Sequence, residues 1–158
     1  MKTQWENFLQ NLGEWHGSFT KISAQGNIVE DTPSILILES LDEQNKTVRL
    51  TLRRFTSSGD NSQPKVNELV REYQTFGKDT MFFEDGAFSQ GSIQISPISV
   101  NGAEFSFIHQ NHRLRLVELF NQDGSFQTLT LIREKRAGTN ALENPTLTVD
   151  ALLGKWQG

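Results

Sequence analysis

The chain has 158 residues, 35% of them hydrophobic, with 15 basic and 19 acidic side chains and a net charge of −4. That length holds one domain of ordinary size, and the mixed charge offers no basic face of the kind duplex nucleic acid requires. The absence of Cys excludes disulfides, thiolate nucleophiles and Cys-ligated zinc, and makes the reducing cytoplasm the expected compartment.

The first segment, MKTQWENFLQNLGEW, has no long apolar run, so neither a signal peptide nor a membrane span is expected. Trp5, Phe8, Leu9 and Leu12 fall at i, i+3, i+4 and i+7, which predicts a short helix with one apolar stripe, ended by Gly13. One Lys and no Arg accompany that stripe, so it packs on the domain rather than on a membrane surface.

After Gly13 the pattern changes to period two. KTVRLTLRRF sets Val48, Leu50 and Leu52 against Arg49, Thr51 and Arg53. AEFSFIH puts Phe105 and Phe107 on one side, HRLRLVELF puts Leu114, Leu116 and Phe120 in one phase, and FQTLTLIREK follows suit. PSILILESL is almost continuously apolar, so this strand is expected to be covered on both faces. Asp85-Gly86, Asn101-Gly102 and Asp123-Gly124 predict tight hairpins, and Asp42 to Asn45 and Ser57 to Gln63 predict polar loops. Roughly nine or ten strands, about ten residues apart and without crossover helices, predict an all-β antiparallel meander. Closure into an up-and-down β-barrel with a short N-terminal helix best protects its edges, with a sandwich as the alternative.

The composition shifts at Ala137. We expect a barrel over residues 1–137 and a linker over 138–148 rich in Gly, Asn and Pro. The pattern L-G-x-W-x-G at residues 12–17 returns at 153–158. Residues 149–158 are therefore expected to begin a second, truncated domain or to dock back on the first.

A helix, then G-x-W at the first strand, then consecutive hairpins resembles the calycin superfamily, the lipocalins and their relatives. The resemblance implies that Trp15 packs at the closed end of the barrel against an Arg of the last strand, for which Arg133 is the candidate. FLQNLGEWHGSF, VNELVREYQ, FEDGAFSQGS, RLRLVELF and LTLIREKR resemble, over nearly the whole chain, the N-terminal domain of an uncharacterised lipocalin-like family of cyanobacteria and plastid-bearing organisms. Its members commonly carry two such halves. The family is distantly similar to calycin-type phycobiliprotein lyases, which hold bilins for attachment to apoproteins. A shared barrel hosts many functions, so the ligand does not follow from the fold.

No catalytic motif is complete. GAFSQG sets Ser89 one residue out of register for a nucleophile elbow, and FGKDT lacks the upstream Gly and the Ser or Thr of a phosphate loop. His16 lies in the opposite phase to Trp15, while His109 and His112 flank the turn Gln110-Asn111. All three are expected to be solvated, and no metal site is assigned. Haem ligation by one of them, as in some calycins, is the alternative the resemblance implies. Arg49, Arg53, Arg54, Arg71, Arg113, Arg115 and Arg133 lie within strand patterns. Most are expected on the outer face with partners such as Glu72 or Glu134. The functional alternative points two or three inward, where a guanidinium fork suits a carboxylate. Glu118 shares a phase with Leu114, Leu116 and Phe120, so it is expected to pair with a buried Arg or to meet ligand nitrogens.

The candidate ligand-binding residues are Trp15, Arg53, Arg71, Phe107, Arg115, Glu118 and Arg133. The expected function is binding of a small amphipathic molecule in the barrel, without catalysis. The resemblance suggests a bilin or other tetrapyrrole, or a lipid-like molecule. The alternatives are a bilin-lyase-like chaperone acting on a partner protein and a barrel filled by its own Phe side chains. Neither nucleic acid nor membrane is an expected partner.

Overall fold

The computed structural model describes residues 2–57, 63–94, 98, 100–142 and 153–155. Helix α1 (Gln4–Phe8) and a single 3-10 turn (Leu9–Asn11) precede nine strands. These are β1 (Gly13–Ile22), β2 (Ile28–Ser40), β3 (Val48–Thr56), β4 (Lys65–Tyr73), β5 (Thr80–Phe82), β6 (Phe88–Gly91), β7 (Asn101–His109), β8 (His112–Phe120) and β9 (Phe126–Arg136). They form one antiparallel sheet in the order β4-β3-β2-β1-β9-β8-β7-β6-β5, curled into a half-barrel. The meander joins its first strand to its last, and its single sheet rules out the sandwich. Between β4 and β5, its two edges, no ladder forms among the described residues. No helix among these residues is long and apolar enough to cross a membrane.

Residues paired across antiparallel strands share a face, so the register sorts every strand into two sides. One side carries Trp15, Leu36, Leu38, Leu50, Leu52 and Val48 from β1–β3, and Ile132, Arg113, Ile108, Phe88 and Phe82 from β9–β5. Val48 and Phe82 lie near opposite ends of the strand order yet belong to one buried cluster with Phe8 and Trp15. Side chains from both ends of a sheet meet only on its concave side.

Helix α1 plugs one end of this concavity. Five residues are too few for a stable isolated helix, so it depends on its cap and its contacts. Thr3 Oγ1 accepts from the Glu6 amide at 3.2 Å, and Glu6 Oε2 accepts from the Thr3 amide at 2.7 Å. Phe8 then packs on Phe76 at 4.7 Å and Phe82 at 5.2 Å between ring centroids, and Phe82 on Phe88 at 5.2 Å. Trp5 Nε1 donates to the Asn45 carbonyl at 2.6 Å, tying the helix to the loop after β2. The Gln4 amide closes on the backbone of β5, donating to the Phe82 carbonyl at 3.1 Å and accepting from the Phe82 N–H at 2.6 Å. It occupies the place of a neighbouring strand.

Three expectations change. Asn101-Gly102 is not a turn but the start of β7, with Gly102 opposite Leu119. Glycine is needed there for space, since a Cβ would lie 2.6 Å from the Glu118 carbonyl oxygen. β2 is buried at Leu36 and Leu38, while Ile35 and Ile37 on its convex side are half-exposed. β8 is inverted relative to its hydrophobicity, with Arg113 and Arg115 turned inward and Leu114 and Leu116 outward. Residues 58–62 of the polar loop lie outside the described residues. So do 143–152 and 156–158, which carry the rest of the expected linker and half of the second Trp motif, Trp156 included.

Candidate functional site

The floor of the concavity explains the L-G-x-W-x-G motif. Trp15 is fully buried, and its Nε1 donates to the Asn11 carbonyl at 2.9 Å. The guanidinium groups of Arg113 and Arg136 lie over its ring at 4.4 and 4.3 Å, where the negative face of the indole attracts a cation. Arg136 Nη1 also donates to the Leu12 carbonyl at 2.6 Å. Gly13 has φ 122°, and a Cβ there would lie 2.7 Å from Arg136 Nη1. A Cβ on Gly17 would come within 1.9 Å of the Arg133 carbonyl oxygen. The last-strand arginine over Trp15 is thus Arg136, three residues beyond the expected Arg133.

Next to this floor lies a buried ionic network. Glu134 accepts from Arg113 Nε at 2.7 Å and from Arg115 Nε and Nη2 at 3.0 and 2.9 Å. Arg115 Nη1 reaches Glu104 at 2.9 Å, and Arg113 Nη1 reaches Asn11 Oδ1 at 3.3 Å. Burial pushes the Glu134 carboxyl up, but the charges of Arg115 and Arg113, with their hydrogen bonds, outweigh it and hold the pKa at about 2. Burial also pulls Arg113 below the ordinary guanidinium value. For Arg115, burial is outweighed by the charges of Glu134 and Glu104, which raise it. With its pKa at about 2, Glu134 is a carboxylate at neutral pH.

Beyond the network the concave face becomes polar and more open. Phe19 on β1 carries the Arg54 guanidinium at 5.8 Å and the Arg115 guanidinium at 5.6 Å from its ring centroid. Arg54 is half-buried, and among the described residues no carboxylate lies within ion-pair distance of it. Four buried polar atoms on this face find no protein hydrogen-bond partner: Ser34 Oγ, Ser106 Oγ, Thr128 Oγ1 and Arg113 Nη2. Buried polar groups are nearly always satisfied, by protein or by something bound. A separate groove of about 700 Å³ lies between the turn at Phe83 to Ala87 and strands β6 and β7, lined by Phe88, Ser89, Phe105, Ser106 and Phe107.

The expected ligand residues divide between the two faces. Trp15 and Arg115 are buried on the concave face, and Arg71, exposed, shares that face opposite Leu50. Arg53 lies on the convex face, where it donates to Glu68 at 2.7 Å. Phe107, Glu118 and Arg133 are convex as well. Phe107 is 63% exposed, and Arg133 Nη2 contacts Thr20 Oγ1 at 3.4 Å. The buried carboxylate that pairs with arginine is Glu134, not Glu118. Phe19, Arg54, Arg113 and Glu134 share the concave face with Trp15 and Arg115 and were not among the expected ligand residues. For Arg113 the sequence offered one signal, its alternation with Arg115 in HRLRL on β8. His16 faces outward beside Glu14, and His112 Nε2 donates to the Leu142 carbonyl at 2.7 Å. Among the described residues no three metal-binding side chains converge.

Comparison with known proteins agrees with this architecture. A crystal structure of a protein of unknown function from the DUF3598 family of Nostoc punctiforme superposes with a TM-score of 0.83 at 49% identity. It covers 98% of this chain, which spans about half, 54%, of the Nostoc chain. The S-type phycobiliprotein lyase CPES from Guillardia theta has the same fold, with a TM-score of 0.59 at 15% identity, covering 85% of this chain and 93% of its own. No curated protein matches. The family described as domain of unknown function DUF3598, N-terminal, matches residues 1–139, and the chain belongs to that family.

Proposed function

We propose that the concave face binds a small amphipathic molecule carrying a carboxylate, of the linear-tetrapyrrole or fatty-acid class, without catalysing its conversion. The carrying observation is the set of four buried, unpartnered polar atoms gathered on one face. Leaving one such group unsatisfied costs about 1–3 kcal/mol, so something must bond to them. Ordered water can satisfy the three hydroxyls and accept from Arg113 Nη2 as well. The half-buried Arg54, without a carboxylate among the described residues, adds a demand for negative charge that water does not meet. Phe19, half-buried on the same face, supplies apolar surface for the rest of the ligand. In this reading Trp15 and Arg115 are the floor and wall of the site, and Arg71 lies at its rim. The cysteine-free composition favours a cytoplasmic setting.

A second reading, a lyase-like chaperone that hands a bilin to a partner protein, is favoured by the fold shared with the Guillardia lyase over 93% of that chain. The binding reading is tested by titrating the protein with a bilin and with a fatty acid, followed by absorbance and Trp quenching. Saturable binding of either class supports it, and failure of both at micromolar concentration refutes it. Transfer of the bound bilin to a cysteine of an added apoprotein distinguishes the second reading.

A further inference from the structure

The two edges of the half-barrel are treated differently. β5 has only three residues, and side chains of α1 cover it: Gln4 bonds both backbone groups of Phe82, and Asn7 Nδ2 donates to the same carbonyl at 3.0 Å. Short length and a covering segment are ordinary protections for an edge. β4 has neither. It runs for nine residues in unbroken register with β3, without an internal Pro or bulge, and among the described residues nothing pairs with its outer side. Every residue from Lys65 to Glu72 is exposed, including Val66 at 50%, Leu69 at 40% and Val70 at 49%. Its acids do not guard it either, because Glu68 and Glu72 are paired with Arg53 and Arg49 of β3.

We propose that β4 is a dimerisation edge, where two copies of the chain pair their β4 strands antiparallel about a two-fold axis at Leu69. A self-complementary edge gives a closed, isologous pair, with backbone bonds supplying affinity and side chains supplying register. The charges of β4 select that register. Paired residues must share a face, so the axis passes through one residue, which meets its own copy. Centred on Leu69, Lys65 meets Tyr73, Val66 meets Glu72, Asn67 meets Arg71 and Glu68 meets Val70. The whole strand is used and no like charges face each other. Moving the axis to Glu68 sets Glu68 against itself and Lys65 against Arg71. Moving it to Val70 sets Glu68 against Glu72. Directly opposed like charges destabilise a strand pair, so both neighbouring registers are disfavoured.

The test is sedimentation equilibrium over a dilution series, with the fold checked by intrinsic Trp fluorescence. The wild type is expected to reach twice the 17.9 kDa chain mass. Leu69→Lys, which sets two ammonium groups against each other, should return it to 17.9 kDa with unchanged fluorescence. Because the chain has no cysteine, single Cys variants and a short bis-maleimide read the register independently, even if Leu69→Lys misfolds. Leu69→Cys should cross-link to itself, and Lys65→Cys should cross-link to Tyr73→Cys. Lys65→Cys should not cross-link to itself, since the two copies lie about 27 Å apart at roughly 3.4 Å per residue. A wild type monomeric at every concentration overturns the proposal, as does a dimer indifferent to Leu69→Lys or cross-linking centred on another residue.

Discussion

Replacing Glu134 by Gln keeps the side-chain volume and removes the carboxylate that accepts hydrogen bonds from both Arg113 and Arg115. In the native protein this carboxylate is fully buried and accepts three guanidinium hydrogen bonds, at 2.7, 2.9 and 3.0 Å. The variant leaves Arg113 with Asn11 and the Trp15 ring and Arg115 with Glu104 and the Phe19 ring, two like charges side by side in a buried site. A carboxyl held at about 2 against an ordinary 4.5 corresponds to about 3 kcal/mol. Breaking a buried ion pair from one side typically costs about 3–5 kcal/mol, so the two routes agree. Urea unfolding followed by Trp fluorescence should therefore show Glu134→Gln destabilised by about 3 kcal/mol at pH 7. The pH dependence carries a sign. A carboxyl whose pKa is lower in the folded state stabilises fully above its unfolded value and loses that contribution as the pH falls through the folded value. The gap between wild type and variant should close between pH 4.5 and about pH 2. A variant within about 1 kcal/mol of wild type at pH 7, or a gap that ignores pH, would refute the reasoning.

Gly17→Ala forces a Cβ to within 1.9 Å of the Arg133 carbonyl oxygen. Relief requires the β1–β9 ladder to open, so a loss of about 3 kcal/mol or more is expected in a denaturant titration. Gln4→Leu removes both bonds to Phe82, which should cost about 2 kcal/mol and speed hydrogen exchange at the Phe82 amide. Phe107→Ser acts on a ring that is 63% exposed on the convex face, and should shift stability by about 0.5 kcal/mol or less in the same titration.

The sequence carried the strands, the N-terminal helix and the G-x-W junction, because period two, period 3.6 and a glycine before a buried Trp are local signals. It set Val48, Leu50 and Leu52 of β3 in one phase and Arg49 and Arg53 in the other, but did not say which phase lies inside. The structure turns the first inward and pairs the arginines outward with Glu72 and Glu68, so Arg53 is not the inward ligand residue expected. It misled on β8 for a physical reason. Periodicity says which residues share a face but not which face is inside, and here the inner face holds a satisfied ion network. Leu114, Leu116, Phe105 and Phe107 were free to take the outer side once Arg113 and Arg115 found Glu134 and Glu104 within. The same inversion placed Glu118 outside and hid Glu134, which reads locally as one more charge in LTLIREKR. Arg53 and Arg54 are neighbours in the chain, and only the register shows that one faces solvent and Glu68 while the other faces Phe19.

That adjacency also supplies the most direct test of ligand binding on the concave face. Arg53→Ala and Arg54→Ala remove the same group from consecutive residues on opposite sides of one strand. A bilin or fatty acid, whichever the wild type binds, should be titrated into both variants. Arg54→Ala should weaken binding about tenfold or more, the loss of a charge-assisted hydrogen bond, while Arg53→Ala leaves it unchanged. Equal affinity in the two variants, or a loss confined to Arg53→Ala, would contradict a concave-face site.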